Sequence, residues 1–145
     1  MQRLWGDYRG EQKLMEKFTI VGNPRTKKNH SQIVTIGGRP RMIPSKQYRE
    51  YESMCEGQIP SLHIDYPVNV KAVYYMPTRR RVDKTNLESA LMDVMVKFGC
   101  IEDDNCKIVV STDGSHVEYD KDNPRTEVEI TRLEDYESPF ERGSR

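Results

Sequence analysis

The residues best suited to chemistry lie between Arg79 and Asp104. A run of three arginines precedes Asp83, and the acidic triplet 102–104 follows beyond the next predicted helix. Carboxylates are the hard oxygen ligands that Mg²⁺ prefers, and arginine side chains bind phosphate oxygens. A cation held in this way polarises a phosphate group and lowers the pKa of an attacking water. This combination indicates metal-assisted hydrolysis of a phosphodiester.

The same residues also have ordinary structural interpretations. An Asp before a helix commonly caps the helix or complements its dipole, and an Asp pair is common in turns. Thr85, with Glu88 three residues later, predicts a capping box at the start of the helix. The arginine run is typical of a solvated loop. The spacing alone leaves the structural and the chemical interpretations open.

The helix between these features is the clearest helix prediction in the chain. It spans residues 85–98, where apolar side chains recur at helical spacing, and Gly99 is its expected end. Its polar face carries Asn86, Ser89 and Asp93. These polar side chains are therefore the ones that the helix can present to a site formed by the flanking acidic residues.

Asp83 and Asp104 lie at opposite ends of this helix in sequence. A helix of 14 residues is about 21 Å long. The two carboxylates therefore meet only if the segment after Gly99 folds back along the helix as the next strand begins.

Alternating and β-branched segments predict the strands around this helix. They span residues 17–21, 32–36, 39–43, 68–76, 107–112 and 126–133, and Gly37-Gly38 predicts a hairpin turn between the second and the third. Another helix of about a dozen residues begins after Ser45, its expected N-cap. Residues 113–124 are interpreted as a turn-rich connection. The order β-β-β-α-β-α-β-β predicts an α+β fold, a single small domain with a mixed β-sheet and two helices packed on one face.

Length and composition set the domain organisation. The 145 residues fit one domain, which we place at residues 17–133, between a flexible N-terminal arm at 1–16 and a disordered polar tail at 134–145. No apolar run approaches the roughly 18 residues that span a bilayer, and the N-terminus lacks the apolar core of a secretory signal. Three widely spaced cysteines without a zinc-binding pattern agree with a reducing compartment. We therefore expect a soluble cytoplasmic protein with no membrane partner.

Charge is distributed unevenly along the chain, although the net charge is zero. Residues 1–84 contain 16 Lys and Arg against 8 Asp and Glu, whereas residues 85–145 contain 7 against 15. A basic region that binds a polyanion beside an acidic region that binds a cation is one explanation, and two solvated faces are the other. The basic candidates for phosphate contacts are Lys27, Lys28, Arg39, Arg41, Arg79, Arg80, Arg81 and Lys84.

Several of these features occur in the order of a known family. The segment 81–87 is followed by Asp93, Gly99 and the pair at 103–104. Upstream lie Gly22-Asn23-Pro24 with its basic loop, then residues 39–41 and 48–52. This order resembles the signature of the RusA family of Holliday junction resolvases, which are crossover junction endodeoxyribonucleases, and the likeness extends from residue 18 to residue 133.

The resemblance implies a small α+β homodimer that nicks four-way DNA junctions with Mg²⁺, for which Mn²⁺ substitutes. It implies that Asp83 and Asp104 are catalytic carboxylates that bind the metal, with Asp93 and Asp103 as catalytic neighbours that orient them. Asn86 and Glu88 are expected to support the site, and the basic residues to bind DNA. Because family members are frequent in bacteriophages and prophages, a phage or prophage origin and a bacterial cytoplasm are expected.

Two positions depart from the family pattern. The family has a second Asp where this chain has Thr85, and a catalytic Lys where it has Ser89. Lys84 or Lys97 are candidates to supply the missing positive charge, and Glu88 or Asp93 the missing carboxylate. The alternative function is a branched-DNA-binding protein whose catalytic site has decayed. A third possible function is that of an interaction module, for which we expect no salt-sensitive affinity for DNA.

Overall fold

A five-stranded mixed sheet forms the centre of the fold in the computed structural model, which describes residues 15–27 and 31–140. Its strands are β1 (Met15–Val21), β4 (Val68–Met76), β5 (Val109–Ser111), β6 (His116–Tyr119) and β7 (Arg125–Arg132). β7 pairs antiparallel with both β1 and β4. β5 and β6 both pair parallel with β4.

The remaining elements are a hairpin and two helices. β2 (Ser31–Ile36) and β3 (Arg39–Pro44) form a separate two-stranded antiparallel sheet. Helix α1 (Lys46–Cys55) follows the hairpin, and helix α2 (Lys84–Lys97) follows β4. Ser45 caps α1, since its side chain accepts a hydrogen bond from the Tyr48 amide at 3.2 Å, as the sequence predicts.

One face of the sheet and both helices share a single core. Val70, Ala72 and Tyr74 alternate along β4 and are buried, because successive side chains of a strand point to opposite faces. Leu91 is fully buried among the α2 residues that pack into the same core, and Tyr51 of α1 joins it. The predicted α+β architecture, with a mixed sheet and two helices, is confirmed.

The element that the sequence interpretation missed is β6. Residues 116–119 were expected to be part of a turn-rich connection, but they form a strand against residues 73–76 of β4. The strand is only four residues long, and His116 and Glu118 are exposed. Val117 and Tyr119 do alternate with these polar residues, but a pattern of four residues within a turn-rich segment is too short to distinguish a strand from a turn. β5 is also shorter than predicted, since the pairing with β4 is irregular between Val68 and Asn69.

The predicted N-terminal arm falls mostly outside the described residues. β1 begins at Met15, two residues inside that arm. Within the predicted C-terminal tail, residues 134–140 are described as turns and irregular chain, and Ser138 is buried. Neither described helix has the length and hydropathy that a membrane-spanning helix requires.

The three cysteines differ in accessibility, and this yields the first prediction. Cys55 and Cys100 are buried and Cys106 is exposed. Burial raises the pKa of the Cys55 thiol to about 11 and that of Cys100 to about 12. Because the thiolate is the reactive form, iodoacetamide at pH 8 is expected to modify only Cys106 in the native protein and all three thiols after denaturation, as counted by mass spectrometry. Rapid modification of Cys55 or Cys100 in the folded protein would contradict this burial.

Candidate active site

The N-terminus of α2 is fixed by Asp83. Its Oδ1 accepts hydrogen bonds from the Thr85 amide at 3.0 Å and the Asn86 amide at 3.4 Å, so Asp83 is the N-cap. The predicted capping box at Thr85 and Glu88 is therefore wrong. The helix begins at Lys84, which places Thr85 inside the first turn, where its side chain cannot cap. Glu88 instead accepts a hydrogen bond from the Lys84 ammonium at 2.8 Å.

The chain after α2 does fold back along the helix. Gly99 adopts a φ of +77°, a left-handed conformation that glycine takes without a Cβ penalty. The Cys100 amide then donates to the Met95 carbonyl at 2.8 Å, and the Glu102 amide donates to the Ile64 carbonyl at 2.9 Å. This return brings Asp104 beside the first half of α2.

Asp104 and the polar face of α2 line an open surface concavity of about 260 Å³, which we call the carboxylate cavity. Three carboxylates line it, those of Glu88, Asp93 and Asp104. The rest of its lining is one ammonium, three hydroxyls and two apolar side chains, from Lys27, Thr85, Ser89, Thr112, Met92 and Val109. The structure thus brings together residues of the β1 exit loop, of α2 and of the acidic turn.

Asp93 is the most densely contacted of these carboxylates. Its Oδ2 lies 2.9 Å from the Lys27 ammonium and accepts a hydrogen bond from the Tyr48 hydroxyl at 3.3 Å. Burial and the negative charge of Asp93 raise the pKa of Tyr48 well above its usual range. The phenol therefore stays protonated and acts as a hydrogen-bond donor that holds Asp93 in place.

Asp103 has a different environment from its neighbour Asp104. Its Oδ1 accepts a hydrogen bond from the Asp104 amide at 2.8 Å, and its Oδ2 accepts one from the Asn105 side chain at 3.0 Å. These bonds shape the acidic turn, as Asp side chains commonly do. Asp103 therefore positions Asp104 and does not line the carboxylate cavity.

A second concavity, the arginine cleft, adjoins the carboxylate cavity. It has a volume of about 380 Å³, and its charged lining consists of Arg25, Arg80 and Arg81. The loop 25–27 and the segment 80–85 each run from the cleft to the cavity, because Arg25, Thr26 and residues 80–82 line the cleft while Lys27 and Thr85 line the cavity. Two short chain segments therefore join the arginine cleft to the carboxylate cavity.

The other predicted basic residues are more scattered. The Arg79 guanidinium stacks over the Tyr119 ring at 4.1 Å from its centroid. Arg39 and Arg41 are exposed on β3 of the hairpin, and neither lines the carboxylate cavity. Lys28 lies outside the described residues.

The donor set fits a hard divalent cation. Within residues 15–27 and 31–140, no three carboxylate, His or Cys groups converge closely enough to form a complete metal site. Mg²⁺, however, is usually bound by one or two carboxylates together with waters and substrate phosphates. Asp104 lines the cavity, whereas Asp83 caps α2 through Oδ1 and does not itself line the cavity.

Sequence reasoning missed two residues of this site. Tyr48 falls in the predicted first helix and in the family-like segment 48–52 but was given no role in the site, yet its hydroxyl reaches Asp93, 45 positions along the chain. Arg25 belongs to the basic loop after β1 but was not among the predicted phosphate contacts. The proximity of Arg25 to Lys27 and Lys28 in the same basic loop could have indicated that it also contacts phosphate.

A family model described as endodeoxyribonuclease RusA matches residues 18–131, well over half of the chain. The comparison with curated proteins gives no match.

The capping bonds of Asp83 generate a stability prediction. Asp83→Ala removes the side chain that satisfies two amides at the start of α2, and should lower the free energy of unfolding by about 1 kcal/mol. Asp83→Asn keeps a capping oxygen and should remain within a few tenths of a kcal/mol of wild type. Urea denaturation measures both. Equal stability of Asp83→Ala and wild type would show that the cap does not stabilise the helix.

Proposed function

Because the chain belongs to the RusA family of endodeoxyribonucleases, we propose that it resolves Holliday junctions by paired, symmetric nicks that depend on Mg²⁺. The observation that carries this proposal is the return of Asp104 to the first half of α2, beside the arginine cleft. A phosphate-binding surface and a carboxylate site then adjoin each other, as phosphodiester hydrolysis requires.

Binding of DNA is assigned first to the arginine cleft. Arg25, Arg80 and Arg81 contact backbone phosphates there, because guanidinium groups donate paired hydrogen bonds to phosphate oxygens. Phosphate contacts position the DNA without reading its sequence. Junction shape therefore dominates the choice of binding site, and Arg39, Arg41 and Arg79 extend the basic surface away from the cavity.

Asp83 and Asp104 would hold the divalent cation. A cation held there would polarise the scissile phosphate and lower the pKa of the attacking water. Asp103 holds the turn that presents Asp104. Glu88 and Asp93 remain on the cavity wall as further acceptors, and Asn86 fixes the adjacent loop because its carbonyl accepts the Lys27 amide at 3.0 Å.

A homodimer would supply two such sites. A two-fold dimer matches the two-fold symmetry of a four-way junction, and each site would make one nick. Mn²⁺ should substitute for Mg²⁺ because both accept oxygen ligands. A bacterial cytoplasm and a phage or prophage origin stay predictions.

A second candidate function is junction binding without cleavage. Thr85 and Ser89 stand on the cavity wall where the family resemblance implies a carboxylate and a lysine. The carboxylates of Glu88 and Asp93 are moreover already paired with lysines, at 2.8 and 2.9 Å respectively. A protein of this kind would keep the arginine cleft and its affinity for junctions but cleave nothing.

Cleavage of a labelled four-way junction separates the two candidates. With Mg²⁺, wild-type protein should nick the junction at symmetric positions and leave a linear duplex of the same sequence intact. Asp83→Asn and Asp104→Asn should each lower the rate by about a hundredfold or more, since each removes a negative charge from the site.

Glu102→Gln is the matched control for Asp104→Asn. Glu102 lies in the same acidic turn, but its carboxylate pairs with His63 at 3.0 Å outside the cavity. This variant should cleave at the wild-type rate. Tight junction binding by a wild-type protein that does not nick would favour the binding function, and full activity of Asp104→Asn would contradict the assignment of the site.

Salt dependence tests the arginine cleft independently of cleavage. Arg80→Ala and Arg81→Ala should each weaken binding uniformly across junction sequences and reduce the slope of log affinity against log salt concentration by about one. Lys17→Ala is the control, because Lys17 lies on the opposite face of the sheet near Glu129. An unchanged slope in both arginine variants would exclude the cleft as the phosphate-binding surface.

A further inference from the structure

The structure assigns Lys27, a residue of the loop after β1, as the cationic group of the carboxylate cavity. We propose that its ammonium contacts the scissile phosphate and stabilises the negative charge that develops there during hydrolysis. This assignment rests on the proposed nuclease function. From the sequence, Lys27 was predicted only to be one of several basic residues that contact DNA phosphates.

The backbone of Lys27 is anchored to α2. Its amide donates a hydrogen bond to the Asn86 carbonyl at 3.0 Å, which ties the loop after β1 to the first turn of the helix. The side chain of Lys27 then enters the carboxylate cavity, where the ammonium lies 2.9 Å from Asp93 Oδ2. The position of this ammonium is therefore set by the same helix that carries Ser89 and Asp93.

Lys27 is the one cationic side chain among the described residues that line the carboxylate cavity. The sequence offered Lys84 and Lys97 as sources of positive charge. Lys84 pairs with Glu88 at 2.8 Å without lining the cavity. Lys97 lies near the other end of α2, where its ammonium is 3.9 Å from Glu52.

The contact between Lys27 and Asp93 is exchangeable. The two side chains are 39% and 32% exposed, and ion pairs this accessible to water are weak. A phosphate entering from the arginine cleft can therefore take the ammonium from Asp93. Tyr48 continues to donate to the Asp93 carboxylate when Lys27 has moved, so that carboxylate keeps a partner.

The role of Lys27 in the reaction is electrostatic. Water adds to the phosphorus and loses a proton to solvent, the ester P–O bond breaks with its electron pair on the leaving oxygen, and that oxygen takes a proton from solvent. Lys27 donates hydrogen bonds to the phosphate oxygens throughout and transfers no proton. A cation in contact with the phosphate accelerates such a step because it interacts more strongly with the transition state, where negative charge develops, than with the substrate.

The test compares Lys27→Ala with the control variant Lys97→Ala. Lys97 is also a lysine near a carboxylate, but that carboxylate belongs to Glu52 of α1 and lies outside the cavity. Lys27→Ala should cleave a four-way junction about a hundredfold more slowly than wild type in single turnover. Its affinity for the junction in buffer with EDTA should fall by less than about tenfold, since one phosphate contact is lost among several. Lys97→Ala should match wild type in both measurements.

Chemical rescue shows whether the ammonium itself is needed. Lys27→Cys is treated with 2-bromoethylamine. The cysteine thiolate attacks the carbon that carries bromine and displaces bromide, which leaves an aminoethyl thioether almost isosteric with lysine. Treated Lys27→Cys should recover at least about tenfold in cleavage rate over the untreated variant. Treated wild type controls for modification of the exposed Cys106.

Three outcomes would overturn the assignment. They are a cleavage rate for Lys27→Ala within about threefold of wild type, a loss of affinity in EDTA as large as the loss of rate, and no recovery after aminoethylation. If wild type itself cleaves no junction, the proposed nuclease function fails and the role of Lys27 falls with it. An active wild type with an equally active Lys27→Ala contradicts the role of Lys27 alone.

Discussion

The geometry of the candidate active site depends on the reversal of the chain after α2. Gly99 takes a left-handed conformation, and the following amides bond to the carbonyls of Met95 and Ile64, so the acidic turn runs back along the helix. Without this reversal Asp104 would lie a full helix length from Asp83. The hydrogen bonds of a buried backbone segment therefore determine whether the two carboxylates can act at one site.

Charge balance is the second constraint on the site. Three carboxylates around one small cavity repel one another, and Lys27 and Lys84 offset two of them by pairing with Asp93 and Glu88. Asp104 has no such ion pair within residues 15–27 and 31–140, which supports the role of cation ligand that we propose for it. The adjoining arginines carry the opposite charge, which suits the phosphate binding that we propose, and the continuous loop 25–27 joins the two surfaces.

The sequence predicts what depends on local periodicity. The alternation of β4 and the apolar stripe of α2 gave the core face of each element, because their burial follows from a period that the residues display. The reversal after Gly99 could be stated only as a condition, since it rests on contacts with residue 64, far along the chain. The approach of Tyr48 and Lys27 to Asp93 likewise joins three separate segments. Asp83 and Thr85 are both suitable caps for α2 by residue type. The residue at which the helical backbone begins, Lys84, makes Asp83 the N-cap.

The most direct test of this account is the location of a bound cation. Crystals of the wild-type protein soaked in Mn²⁺ would be measured at a wavelength where manganese scatters anomalously. The account predicts an anomalous peak at the start of α2, with the ion coordinated by oxygens of Asp104 and Asp83. A peak coordinated elsewhere, or an ion at this end of the helix that Asp104 does not contact, would contradict it.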